Sequence, residues 1–219
     1  MAYGETMQKL SPCGNGLVLD LLITACGAPR ALLDAGCGRG ERLAACAEAL
    51  PEARCCGIDC DADNVRSARA RCHGAEIVTG DVCALPWPDA VFDAALCECT
   101  LSLLDQPARC LSELHRVLRP GGVLLLSDLT GGAAPAQRIC LSPEGAVRYL
   151  AGKVWTEAAA AAAGFRLRRY RDCREEYLTM AAQMILDGSC ACLGAETADA
   201  LRRNRAGYGM WILQKEETR

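Results

Sequence analysis

At 219 residues, with hydrophobic side chains at 51% and charged ones at 23%, the chain can bury a full core and is too apolar for wholesale disorder. A net charge of −3 supplies none of the basic surface that nucleic acid requires. The most apolar early stretch, Leu17 to Cys26, is broken by Asp20 and too short to cross a bilayer. The opening MAYGETMQKL lacks the charged-then-apolar order of a secretory signal, so the expectation is a cytoplasmic protein with no membrane or nucleic-acid partner. There the 16 cysteines would stay reduced, many of them as small hydrophobes inside apolar runs.

In chain order, short apolar runs alternate with helical patterns, the mark of a parallel sheet covered on both faces. The pattern predicts helix near 14–27, strand Ala31–Ala35, helix 41–49, strand Cys55–Asp59, helix 62–72 and strand Glu76–Thr79. Strand Phe92–Cys97, helix 107–117 and strand Val123–Ser127 follow. The alanine run Ala158–Ala163, closed by Gly164, belongs to a helix over 153–163. Strand Phe165–Tyr170, helix 175–187 and strand Tyr208–Gln214 complete the set. The arginines at 166, 168, 169 and 171 read as a solvated strand face.

Ligands of open parallel sheets bind at the carboxyl ends of the strands, so the chemistry is sought there. Leu32–Leu43, LLDAGCGRGERL, is a buried strand running into Gly36, Cys37, Gly38, Arg39 and Gly40 and then into a helix. Such glycines let backbone amides approach a ligand, though dinucleotide enzymes share the pattern. Asp59, nineteen residues after Gly40, ends the second strand and could accept two hydrogen bonds from a ribose diol. Its alternative role is a helix N-cap, which Asp61 would fill equally well. Asp81 after the third strand could accept an adenine amine with the Val82 amide beside it, or simply form a turn after Gly80. Leu114–Val123, LHRVLRPGGV, reads as a helix stopped by a Pro-Gly-Gly turn.

In this order DAGCGRG, GID, GDVCALP, FDAAL and LHRVLRPGG resemble the class I S-adenosylmethionine-dependent methyltransferases, tightly over residues 29–130. The nearest likeness is to the small-molecule group that includes ubiquinone-biosynthesis and arsenite methyltransferases. The resemblance implies an α/β, Rossmann-like, seven-stranded and mostly parallel sheet with helices on both faces. Its last strand, Tyr208–Gln214, would be antiparallel and inserted between strands five and six. One methyltransferase domain would span 1–219, with 1–28 as an N-terminal cap or lid, 29–130 as the cofactor core and 131–219 as the acceptor-side half. S-adenosylmethionine would be the cofactor and S-adenosylhomocysteine its product. Asp34, Gly36, Cys37, Gly38 and Gly40 would surround the methionine part, and Asp59 followed by Cys60 the ribose. Asp81 with Val82 would hold the adenine, and the Cys97 backbone would face the cofactor amine. The partner would be a small-molecule acceptor, and the protein a monomer or homodimer.

For the acceptor side the sequence offers Cys99 and Glu98, with Asp128 and Tyr149 as further candidates. Cys97 to Leu103 resembles the Ser-Asn-Cys-x-x-Asn-Leu segment of arsenite methyltransferases, which would make Cys99 an arsenic or thiol-acceptor residue. Tyr149 stands where that group has a further cysteine. The plainer reading of Cys99 is a small residue lining the acceptor pocket. If the strand continues, alternation puts Cys97 and Cys99 on one face. A second class of function, a cofactor-binding redox or metalloid sensor without turnover, would use that pair. Cys55, Cys56 and Cys60, and Cys190 with Cys192, lack the paired spacing of structural zinc, and with only His73 and His115 no metal is expected. A lid over the cofactor could act through Tyr3 or Met7.

Overall fold

The computed structural model describes residues 12–132, 134–142, 147–186, 188 and 194–216. Helix α1 (Asn15–Cys26) leads into β1 (Ala31–Ala35), α2 (Glu41–Ala49), β2 (Arg54–Asp59), α3 (Ala62–Arg71) and β3 (Glu76–Thr79). Then come β4 (Phe92–Glu98), a 3₁₀ turn (Leu101–Leu103), α4 (Pro107–Val117) and β5 (Leu118–Gly131). A hairpin of β6 (Arg138–Cys140) and β7 (Tyr149–Ala151) precedes α5 (Lys153–Ala162) and β8 (Phe165–Asp172). The chain closes with α6 (Arg174–Leu186), α7 (Ala195–Arg203) and β9 (Ala206–Lys215).

The main sheet runs β3-β2-β1-β4-β5 in parallel, then β9 and β8. Strand β9 is antiparallel to β5 along Val123–Gly131 and antiparallel to β8. The seven-stranded sheet with an inserted reversed strand is therefore as expected, with the β6–β7 hairpin added at the end of β5 through Thr130 and Ala151. Alternation sorts the strands onto two cores: Leu32 packs beneath α1, α2 and α3, while Leu33 and Ala35 face α4 and α5. No helix among the described residues is long and apolar enough to cross a membrane.

Three features differ from the sequence expectation. Strand β5 begins at Leu118 and not after the glycines, because Phe92 pairs with Leu118 before the register shifts and Ala94 pairs with Val123. The Arg119–Gly122 stretch bulges opposite Asp93, and a Cβ at Gly122 would lie 2.8 Å from the Arg119 carbonyl oxygen. The hairpin was not foreseen, since three-residue strands carry no readable period. It is fastened by arginines: Arg138 donates to the Leu101 and Leu104 carbonyls, and Arg148 to the Leu103 carbonyl at 3.0 Å. Helix α7 also lacked a signal, its buried side being Thr197, Ala200 and Leu201.

His115 packs edge-on against Phe165 at 5.2 Å. The strand-face arginines find local partners: Arg166 pairs with Glu216, Arg168 with Gln214 and Arg171 with Glu176. Charge along the edge strand β8 opposes pairing with a foreign strand.

Asp93 ties the lower end of the sheet together. Its Oδ2 accepts the Arg30 and Ala31 amides at 2.8 and 2.9 Å, and its Oδ1 pairs with Arg119 in the bulge. Burial pushes its carboxyl up, but the Arg119 and backbone hydrogen bonds outweigh that and hold it below the usual range. A depressed carboxyl stabilises above its unfolded value, about 3.9, and that contribution is lost as pH falls through the lower native value. Asp93→Asn should lower unfolding stability by about 1–3 kcal/mol at pH 7 and by much less at pH 3, read from urea titrations at both.

Candidate functional site

Strands β1, β2, β4, β5 and β9 bring the candidate residues to one edge of the sheet. After Asp34 and Ala35 the chain turns through the glycine loop, where the Gly36 and Cys37 amides donate to the Ile58 carbonyl at 2.8 and 2.9 Å. Gly36 sits at φ +82°, and a Cβ there would lie 2.3 Å from Thr100 Oγ1. Gly40, at φ +81°, would strike Ala68 and the Cys72 sulfur at 2.9 Å. Both are glycine because packing and dihedral forbid a side chain. Gly38 differs: nothing lies within 4 Å of its missing Cβ, so one side of the loop is open.

Asp59 pins that loop. Its Oδ2 accepts the Gly38 amide at 2.9 Å, and its Oδ1 accepts the Asp61 amide at 3.0 Å and the Asn64 side-chain amide at 3.2 Å. The N-cap of α3 is Asp61, which accepts from the Asp63 and Asn64 amides. Cys60 is exposed beside Asp59. Asp81 forms a turn, accepting the Cys83 amide at 2.8 Å, while Val82 is buried with Leu33 and Ile58. The Cys37 thiol turns inward, since a Cβ on Gly57 would lie 3.0 Å from it, and burial pushes it up.

Asp34 is 3% exposed, and its Oδ2 has no hydrogen-bond partner among the described residues. Burial and then the neighbouring Glu98 raise it, against the pull of Arg42, to about 8. A buried carboxylate oxygen without a partner is a demand for a donor or a cation.

On the other side of β1, Arg42 forks onto Glu98: Nε pairs with Oε1, and Nη2 with Oε2 at 3.0 Å. The pair is 12% and 11% exposed. Arg42 also donates to the Cys13 carbonyl at 2.9 Å and to Asn15 Oδ1 at 2.5 Å. Glu98 Oε2 accepts Ser127 at 3.3 Å, Ser127 accepts Tyr208 at 2.9 Å, and the Tyr208 hydroxyl meets the Cys99 thiol at 3.2 Å. Burial raises Cys99, Tyr208 and, to about 6, Asp128. Asp128 accepts the Ser102 and Leu129 amides at 2.9 and 2.8 Å. Tyr149 spends its hydroxyl on Asp105 at 2.6 Å and its ring on Arg138.

Cys97 and Cys99 do not share a face. Strand β4 ends at Glu98, and Cys99 takes a left-handed φ of +50°, which breaks the alternation. Cys97 belongs to the core under α4 together with Cys110, whereas Cys99 packs against the opposite core. No trio of His, Cys, Asp or Glu converges as a metal site among the described residues. Tyr3, Met7, Cys190 and Cys192 lie outside them.

Sequence reasoning missed Arg42, Asn64, Ser127 and Tyr208. Arg42 did leave a signal: a cation in the first turn of a helix opposes the helix dipole and so has another reason to be there.

Residues 33–126 match the family described as Methyltransferase domain. The malonyl-[acyl-carrier protein] O-methyltransferase of Pseudescherichia vulneris is 33% identical over 118 residues, 53% of this chain and 46% of that protein. The fatty-acid O-methyltransferase of Mycolicibacterium smegmatis is 37% identical over 99 residues, 44% of this chain and 36% of its own length. The chain thus spans less than half of the curated relatives it matches. Among solved structures, the [4+2]-cyclase SpnF superposes with a TM-score of 0.73 at 24% identity, over 93% of this chain and 82% of that one. That likeness shows the fold. Over residues 33–126 the chain is thus similar to methyltransferase domains.

Proposed function

We propose that the chain transfers a methyl group from S-adenosylmethionine to an oxygen of a small-molecule acid. The observation that carries the reading is the unpartnered Asp34 oxygen, buried beside a glycine loop pinned by Asp59. Once ionised by ligand binding, a dry carboxylate at that place suits the cationic amine of the cofactor. Asp59 has one acceptor site left for a ribose hydroxyl, since a carboxylate offers about four and three are used. Gly38 leaves the open side, and Asp81, Val82, Cys60 and the Cys97 backbone line the approach to the adenine and amine.

When bound, the cofactor supplies a methyl group on a positively charged sulfur. The chain's own residues then position an acceptor and exclude water. Glu98 is committed to Arg42 and Ser127, and Asp128 to two amides, so neither is a free base. A carboxylate acceptor needs none, because it is already ionised at neutral pH. The names of both relatives also specify O-methyl transfer to acids, a malonyl thioester and a fatty acid. Glu98 becomes a positioning residue, and Cys99 a pocket-lining one whose thiol bonds Tyr208. The proposal extends to one domain over 1–219 capped by residues 1–28, to a cytoplasmic monomer or homodimer, and to reduced cysteines, all those described being free thiols.

The test is methyl-label transfer from S-adenosylmethionine to a panel of malonyl thioesters, fatty acids, phenols, thiols and arsenite. Label in the methyl ester of an acid is the expected outcome, and label only in thiols or arsenic would overturn it. Asp59→Ala should weaken S-adenosylhomocysteine binding roughly 10- to 100-fold by calorimetry, the loss of one charge-assisted hydrogen bond. With Asp34 at about 8 in the free protein, a cationic ligand must ionise it to bind. Affinity for S-adenosylhomocysteine should then fall as pH drops from 8.5 to 6.5, by up to about tenfold per unit. Asp34→Asn should flatten that profile.

A further inference from the structure

Strand β8 carries arginines at 166, 168, 169 and 171, which strict alternation would divide between the two faces of the sheet. A bulge prevents that. Leu167 pairs with Leu213 and Arg169 with Ile212, so Arg168 is an extra residue and the facing shifts by one. Arg166 opposite Gln214, Arg169 opposite Ile212 and Arg171 opposite Met210 then share the face on which α1 packs. Phe165 and Tyr170 take the other face, with the core under α4 and α5. Arg168 lines the same groove as Arg169. The irregularity thus gathers all the strand's arginines beside α1.

That groove has a volume of about 190 Å³. Leu21, Val123 and Ile212 give it a buried, apolar floor. Thr24 and Ala25 of α1 form one wall and the exposed Arg168 and Arg169 the other. Val123 lies level with Ala94 and Gln214, at the end of the sheet remote from the glycine loop. Arg166 and Arg171 are paired with Glu216 and Glu176, and Arg168 donates to Gln214 Oε1 at 2.6 Å. The Arg169 guanidinium has no partner among the described residues.

We propose that this groove docks an acidic amphipathic helix of a partner protein. One apolar side chain of the helix enters between α1 and β8, and its carboxylates meet Arg168 and Arg169. Size favours this occupant: pockets that enclose a small molecule run to roughly 300–1,000 Å³, whereas this one suits a single anchoring side chain. Charge favours it too, because a guanidinium fork matches a carboxylate. The apolar floor rewards an anchor that a sugar-phosphate backbone lacks. An added strand is a poor alternative, since the bulge and the arginines spoil the free edge of β8. A helix laid across the face uses the groove as it stands. The docking face is far from Asp34 and Asp59, so it is independent of whether the protein methylates anything.

The experiment measures fluorescence anisotropy of a labelled alanine-based peptide of about 18 residues, long enough to hold a helix alone, with glutamates around one central leucine. The full chain should bind it saturably in the micromolar range, and less tightly as salt rises. Peptides with lysine for glutamate, or serine for the leucine, should bind at least about tenfold more weakly. Arg168→Glu and Arg169→Glu should each cost a similar factor, and Ala25→Trp, which fills the groove from α1, should abolish binding. All three positions are exposed, and circular dichroism verifies that the variants fold. No binding of the acidic peptide, equal binding of the lysine peptide, or affinity unchanged in the three variants would overturn the proposal. So would retention on duplex DNA or phosphatidylserine vesicles that Arg169→Glu removes while the peptide stays unbound, which would give the face to those surfaces.

Discussion

The fork between Arg42 and Glu98 is the contact on which the site depends. It fixes the end of β4 to the start of α2, and through the Cys13 carbonyl and Asn15 it fixes the N-terminal segment as well. Removing two such charges from water costs several kcal/mol each, and the attraction between them in the interior only roughly repays it. A well-packed apolar pair would serve stability equally well. What the ion pair provides is direction: Glu98 Oε2 is held where Ser127 can reach it, Ser127 where Tyr208 can, and Tyr208 where it meets Cys99. Four chain segments distant in sequence are thereby held to one polar line.

The same edge of the sheet concentrates negative charge. Asp59 and Glu98 end their strands there, Asp34 and Asp128 lie within three residues of the ends of theirs, and Arg42 pairs with Glu98 among them. Burial and this crowding explain why Asp34 rises, its Oδ2 having no partner among the described residues. A site built this way holds an unmet preference for positive charge. The glycine loop supplies the complementary half, a backbone whose positive-φ turns are closed by Thr100 and Ala68 at two points and open at Gly38. Attraction for a cation and room to receive it are thus built by adjacent residues of one strand–loop–helix unit.

Much of this was legible because it is local. Continuous apolar runs marked the buried parallel strands, and each glycine or carboxylate at a strand end marked a place where the ladder stops and a ligand can begin. Asp59 and Asp61 lie two residues apart, and the sequence left both as possible caps; the structure separates them, because only Asp61 precedes α3 directly. What sequence reading could not find was non-local. Arg42 and Glu98 are 56 residues apart, and Tyr208 meets Cys99 across 109. The β6–β7 hairpin is held by arginines bonding carbonyls of the 3₁₀ turn, a pairing with no periodic trace.

Cys99 shows how one backbone angle governs the end of β4. A non-glycine residue in the left-handed region costs on the order of 1 kcal/mol or more and persists only where its surroundings over-determine it. Here the Cys99 amide donates to the Ser127 carbonyl at 2.8 Å and its thiol meets Tyr208, so both ends of the residue are fixed. Had β4 continued with regular alternation, Cys99 would have followed Cys97 toward α4 and lost Tyr208. The turn instead sends Cys99 to the face that also holds Tyr208 and Cys173. The strained residue and the ion pair act together: Glu98 is held by Arg42 on one side, and one residue later the chain reverses its facing. The reversal sets the Cys99 thiol against the buried Tyr208 hydroxyl at 3.2 Å.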